Sequence, residues 1–247
     1  MNEDITILNN KFKNIKALGW VEGISNGTGN AGRTLEFLLS KELENFEIPD
    51  FNGIEIKTKN VFSNAYINLF NATPDEKYLF EIKRLTSKYG YPDKVYKTAN
   101  LLQVSLFCNK ISDAGYRYKF KGTINKLEHK IFLNVFNRYS KIIDTETYWS
   151  FQLLKEKLER KLKYLALIDV LVNYHNNKQY FLYNNIYFYE LKDFDNFLNL
   201  LENGKIRITF KVGVFKSGVK SGQMHDHGTG FGIKEKDLEL LYNKINI

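Results

Sequence analysis

The chain has 247 residues, a formal net charge of +8 and a pI near 9.2, with 43% hydrophobic and 15% aromatic residues but only 3 prolines. That composition excludes a disordered chain and predicts a sizeable core in one large or two small domains. The lone Cys108 excludes an internal disulfide and cysteine-rich zinc modules and points to the reducing cytoplasm. No membrane segment is expected: the N-terminus is acidic, and the most apolar stretch, 164–172, is short and contains Asp169. The basic surplus permits a polyanionic partner without requiring one.

Residues 3–18 place Ile5, Ile7, Leu8, Phe12, Ile15 and Leu18 at mostly helical spacing, ended by Gly19. A glycine-dense loop through Gly23, Gly27, Gly29 and Gly32 follows, then a second helical stretch with Leu35, Leu38, Leu39 and Leu43 on one face. Ile54 and Ile56 alternate with Glu55 and Lys57 as in a strand, each pair on its own face. Residues 73–96 read as a polar, partly helical connection, and 116–124 and 130–136 as paired strands. Residues 149–161 are amphipathic and helical, 164–172 a buried strand, and 179–189 an aromatic-rich strand reached through a turn at Asn176-Asn177. A helix at 194–201 ends in Asn203-Gly204; a strand at 205–215, a glycine-bearing loop at 217–228 and a short helix at 234–244 close the chain. Helices and strands intermix throughout, which predicts an α/β (α+β) fold.

The segment from Pro49 to Lys57 carries the chemistry. Proline sets Asp50 on a turn, and Glu55 and Lys57 share one strand face while Ile54 and Ile56 anchor the other in the core. Two carboxylates suit Mg²⁺, a hard cation that keeps several waters, and an ammonium beside them can steer a water toward a phosphate. Seen alone, the same alternation also describes a half-exposed strand with a weak surface ion pair. Glu36, on the helix behind the glycine loop, and the paired histidines near the C-terminus are features such a bland strand does not call for.

Gly29-Asn30-Ala31-Gly32-Arg33-Thr34-Leu35-Glu36, then Pro49-Asp50, then Gly53-Ile54-Glu55-Ile56-Lys57-Thr58 resemble the PD-(D/E)xK nucleases, and most closely the MvaI/BcnI-type restriction endonucleases. The likeness continues in Tyr148-Trp149-Ser150-Phe151, Lys161-Leu162-Lys163-Tyr164, Glu202-Asn203-Gly204 and His225-Asp226-His227-Gly228-Thr229. The resemblance implies a restriction-endonuclease-like core, a mixed sheet flanked by helices, in two lobes that clamp DNA. It places a catalytic lobe mainly in 1–165 and a recognition lobe mainly in 166–247, with some interleaving. Asp50, Glu55 and the backbone carbonyl of Ile56 are implied ligands of Mg²⁺. Lys57 is implied beside the attacking water and the scissile phosphate, with Glu36 in support, either at a second metal or through a hydrogen bond.

Between Lys205 and His225 the chain holds Lys205, Arg207, Lys211, Lys216 and Lys220 and no acidic residue. A basic strand and loop of this kind suit a DNA groove, lysines neutralising phosphates and other groups reading base edges. Lysine can donate to guanine O6 and N7, Asp226 can accept from cytosine N4, and His225 and His227 can do either. A zinc or iron site at the two histidines needs further ligands, and a purely structural loop is the plainer alternative; the resemblance favours DNA contact. One departure stands out: no arginine follows Arg207, so Lys211, without a planar fork, is left to grip guanine. The expected protein is thus a monomeric, Mg²⁺-dependent type II restriction endonuclease acting on double-stranded DNA, at a CC-centre-GG type of site. It leaves 5′-phosphate and 3′-hydroxyl ends and works beside a cognate DNA methyltransferase with which it forms no complex. A MutH-like mismatch-repair nickase and a non-catalytic DNA-binding protein are the alternatives. Tyr180, Tyr183, Tyr187 and Tyr189 read as a half-buried sheet face, Cys108 as packing, and the glycine loop as a flexible, DNA-contacting lead-in to the Glu36 helix.

Overall fold

The computed structural model describes residues 2–27, 29–39, 50–75, 78–113 and 117–247. Leu43, Pro49 and Tyr116 lie outside them. The described chain is mixed α+β, and its contacts gather it into two compact units. The first comprises Met1–Ile67, Glu159–Lys192 and Glu239–Ile247, the second Asn68–Leu158 and Asp193–Leu238, so the units interleave along the sequence. Topology explains this: the strands Ile54–Asn60 and Tyr164–His175 are parallel neighbours, parallel neighbours need a crossover, and here the crossover carries residues 68–158.

In the first unit the sheet runs Val21–Glu22, Lys178–Leu191, Tyr164–His175, Ile54–Asn60, with Tyr242–Ile245 also pairing with Lys178–Leu191. Asn176 and Asn177, both at positive φ, close the long hairpin as the expected two-residue turn. The helix Asn2–Ala17 buries Ile5, Leu8, Phe12 and Ile15, spaced by three and four residues, against Leu35, Leu39, Ile54, Ile56, Ala166 and Ile168. Glu55, Leu165, Tyr189 and Lys244 stand in register across the opposite face. Both faces of the Glu55 strand are therefore covered, and Glu55 is as buried as the isoleucines beside it, not half-exposed. Tyr183, also buried, donates its hydroxyl to the Ala31 carbonyl at 2.7 Å, so it ties helix to sheet.

The second unit holds two sheets. One runs Tyr148–Ser150, Lys130–Phe136, Lys119–Asn125, Ser112–Asp113, and the other Ile67–Asn71, Gly230–Ile233, Ile206–Val214, Asn100–Leu106, Tyr91–Pro92. Trp149 belongs to a strand, with the helix Phe151–Leu162 starting after it; the indole is fully buried and donates to the Ala72 carbonyl at 3.0 Å. The expected loop at 217–228 contains the strand Met224–Asp226, which hydrogen-bonds to Ile206–Val214. The expected helix at 234–244 is helical only to Leu241, because Tyr242–Ile245 finds a sheet edge at Lys178–Leu191 and buries Tyr242 there. Cys108 packs against Gly122, and burial pushes its thiol up to about 12.

A buried ionic cluster joins the helix Tyr78–Tyr89 to the strand Ile142–Asp144. Arg84 donates to Glu81 at 2.9 Å, to Thr147 at 3.0 Å and to Asp144, which also takes the Tyr89 hydroxyl at 2.7 Å. Burial alone would raise the Asp144 carboxyl, but the hydrogen bonds from Arg84 and Tyr89 outweigh it and hold it below the usual carboxylate range. Arg84→Met strands the buried Asp144 and the part-buried Glu81 and is expected to cost about 3 to 5 kcal/mol in a denaturant titration. With its folded pKa depressed, Asp144 stabilises the fold above the ordinary carboxylate range and loses that contribution as pH falls through the folded value. The deficit of the variant should therefore shrink in acid; a deficit constant with pH would count against the cluster's ionic character.

Candidate active site

A two-residue turn assembles the site. Asn52 and Gly53 both take positive φ, 43° and 88°, and Phe51 and Ile54 exchange backbone hydrogen bonds of 2.9 and 2.7 Å across them. Asn-Gly is the pair such a turn favours. The reversal brings Asp50 back along the strand it precedes, where its Oδ2 accepts the Ile56 backbone N–H at 2.9 Å. Asp50, Ile56 and Glu55 are thereby gathered at the start of the strand Ile54–Asn60.

Glu55 is 1% exposed. Its Oε1 is paired with Lys57 Nζ and lies 3.6 Å from Lys161 Nζ, on the last turn of Phe151–Leu162, while its buried Oε2 has no hydrogen-bond partner among the described residues. Burial raises the Glu55 pKa; Lys57 opposes that, the Asp50 charge adds to it, and Lys161 opposes it again. Tyr242, fully buried, is likewise pushed up by burial and by the Glu55 charge. A buried carboxylate with one oxygen held by two ammonium groups and the other unsatisfied is a poor structural ion pair. It fits a divalent cation, whose place Glu55 Oε2, Asp50 and the Ile56 carbonyl would share. Among the described residues no group of three or more His, Cys, Asp or Glu side chains gathers as a metal site; two carboxylates, a carbonyl and water are a donor set that Mg²⁺ accepts.

Glu36 lies half-buried on Asn30–Leu38, the helix whose Leu35 packs with Ile54 and Ile56 on the face of the strand opposite Glu55. The glycine loop before it is tied down. Asn30, fully buried, accepts from Ser25 N–H, Ser25 Oγ and Thr34 Oγ1 at 3.0 to 3.2 Å and donates to Gln179 at 2.7 Å. A Cβ on Gly23 would come within 2.3 Å of Asn30 Nδ2, so that glycine serves close packing and not flexibility.

The basic C-terminal segment is less uniformly positive than its sequence, because the fold brings acids to it from elsewhere. Lys205 pairs with Asp237 at 3.1 Å, and Lys216 with the buried Asp93, whose carboxyl that contact and the Tyr96 and Val95 N–H groups hold down at about 2. Lys216 remains half-exposed and Lys220 is exposed. Phe215 and His225 stack at 4.0 Å, and His227 follows at 3.9 Å from His225. Burial lowers the His225 pKa and the neighbouring His227 lowers it further, favouring a neutral ring that can accept as well as donate. Asp226 accepts the Gly228 N–H at 2.8 Å, an Asx turn that shapes the loop. Lys211 donates to Asn68 at 3.3 Å and Asn71 at 3.4 Å.

The MvaI/BcnI restriction endonuclease family profile matches residues 9–242. The chain belongs to the MvaI/BcnI restriction endonuclease family. Two solved structures are similar to it, each 32% identical and aligned over 99% of this chain and 98% of the other: a restriction endonuclease MvaI–cognate DNA substrate complex, with a TM-score of 0.93, and restriction endonuclease MvaI in the absence of DNA, with a TM-score of 0.64. No curated protein matches the chain.

Lys161, Tyr242, Asn68 and Asn71 are the additions that sequence reading did not single out. Lys161 stood within a segment shared with the family, which was a usable signal. The others reach their places through long-range pairing, which leaves no local mark. Among the described residues no helix is long and apolar enough to cross a membrane.

Proposed function

We propose that this family member is a type II restriction endonuclease of the PD-(D/E)xK kind that hydrolyses phosphodiesters of double-stranded DNA with Mg²⁺. One observation carries the reading: Asp50, Glu55 and Lys57 converge at one place, with a buried Glu55 oxygen left unsatisfied among the described residues. Bound Mg²⁺ would polarise a phosphoryl oxygen and acidify a water for in-line attack. Asp50, Glu55 Oε2 and the Ile56 carbonyl would hold it. Lys57 Nζ donates to the attacking water or a phosphate oxygen, and Glu36 supports the group from its helix; as the water oxygen bonds to phosphorus the P–O3′ bond breaks and O3′ takes a proton from solvent, leaving 5′-phosphate and 3′-hydroxyl ends. Lys220, with the exposed part of Lys216, neutralises phosphates, while Lys211, His225, Asp226 and His227 read base edges. The similar MvaI–DNA complex supports duplex DNA as substrate. A monomer cutting the two strands in successive encounters at a CC-centre-GG type of site, protected by a separate methyltransferase in the same cytoplasm, completes the proposal.

Digestion of a fully sequenced unmethylated phage genome tests it. Fragments whose mapped ends share one short sequence, formed with Mg²⁺ and not with EDTA, are expected. Plasmid left as persistent open circles would favour a MutH-like nickase, and binding without cleavage a non-catalytic DNA-binding protein.

A further inference from the structure

Lysine is a flexible point charge, and without restraint its ammonium can approach a base edge from many directions. Lys211 is restrained. Its Nζ donates to Asn68 Oδ1 and Asn71 Oδ1 on the strand Ile67–Asn71, at 3.3 and 3.4 Å. Asn68 Nδ2 donates to Asn71 Oδ1 at 3.3 Å, and Asn71 Nδ2 donates to the His227 carbonyl at 3.4 Å. The His227 N–H in turn bonds the Lys211 carbonyl at 3.2 Å. Two carboxamides, one ammonium and the histidine loop are thus one connected network.

Space for it is held open by glycines. A Cβ on Gly230 would come within 2.5 Å of Asn68 Oδ1 and 2.6 Å of Lys211 Nζ, and one on Gly228 within 3.3 Å of Asn71 Cβ. Gly228 has a φ of +79°, whereas Gly230 has no such backbone need, so the reason for glycine there is the cluster itself. Asn71 is exposed, and Asn68 and Lys211 are half-buried. A cluster open to solvent and joined to the His225–His227 loop is poorly explained as core.

We propose that Asn68 and Asn71 are specificity-determining residues of the base-reading surface, fixing the Lys211 ammonium as a directed donor to a guanine edge. They supply the direction that an arginine fork would bring by itself, and they couple it to the loop that carries His225 and His227. This inference rests on the DNA-cleaving reading above and deepens it. It makes Asn68 and Asn71 positioning residues, acting through Lys211.

The test is equilibrium binding, with Ca²⁺ in place of Mg²⁺, to oligonucleotides bearing the mapped target and every single base-pair substitution of it. Lys211→Ala should lower discrimination about tenfold at one G·C pair. Asn68→Ala and Asn71→Ala should each lower it at that same pair, with binding to unrelated DNA changed less than about threefold. Lys211→Ala combined with Asn71→Ala should be no worse than Lys211→Ala alone, since the two act as a unit. Asn71, being exposed, is the variant least tied to folding, and a thermal melt of each variant checks this. Discrimination left intact, an equal loss on all sequences, or an effect at a different base pair from Lys211→Ala would overturn the inference alone. A wild-type protein that binds every oligonucleotide equally would overturn the sequence-specific reading itself.

Discussion

Asp50→Ala should lower DNA cleavage by on the order of a thousandfold or more, while binding measured with Ca²⁺ stays detectable. The expectation follows from two roles of one carboxylate. Asp50 carries charge at the candidate metal position, and its Oδ2 accepts the Ile56 N–H at 2.9 Å. Alanine removes both; the hydrogen bond alone is worth about 1 kcal/mol of stability. Asp50→Asn separates the roles, because its amide oxygen can still accept that N–H while the charge is gone. Cleavage should be lost as fully in Asp50→Asn as in Asp50→Ala, with the thermal midpoint closer to wild type. Wild-type turnover by Asp50→Asn would remove Asp50 from the catalytic site and leave it a turn residue.

Lys57→Ala should reduce turnover by about a hundred- to a thousandfold with the KM for DNA changed less than about threefold, since the proposed work of the ammonium lies in the transition state. The fold should tolerate the change. Glu55 is buried and ordinarily could not lose its cation cheaply, yet Lys161 Nζ stands 3.6 Å from the same oxygen and remains after Lys57 is removed. Single-turnover kinetics on a short duplex, set beside binding, would read the split. An affinity loss that accounts for the whole effect would make Lys57 a phosphate-binding group rather than a catalytic one.

The acidic turn and the Glu55–Lys57 spacing were legible in the sequence because the site is built from near neighbours. Asp50 reaches Ile56 through a two-residue turn, and alternation puts Glu55 and Lys57 on one face. Helical spacing in Asn2–Ala17 and the Asn176-Asn177 hairpin were legible for the same reason. Burial of Glu55 was not, because it depends on Tyr164–His175 lying alongside, more than a hundred residues later. The pairing of Lys216 with Asp93 was hidden likewise: a run without acids says nothing about acids that folding delivers from elsewhere. The final strand, Tyr242–Ile245, was read as helix because local spacing carries no information about an open sheet edge waiting for it.

The interleaved topology has a consequence for an enzyme of this kind. Glu55 and Lys57 lie on a strand whose parallel neighbour begins at Tyr164, just after the nearby Lys161, and Tyr242 is delivered later still. A nascent polypeptide emerging from the ribosome holds every member of the Asp50–Lys57 motif early but has nothing to lay it against until the strand beginning at Tyr164 follows, more than a hundred residues later. A product released before Tyr164 would carry the whole motif without the strand that buries Glu55, and is expected to leave DNA uncut.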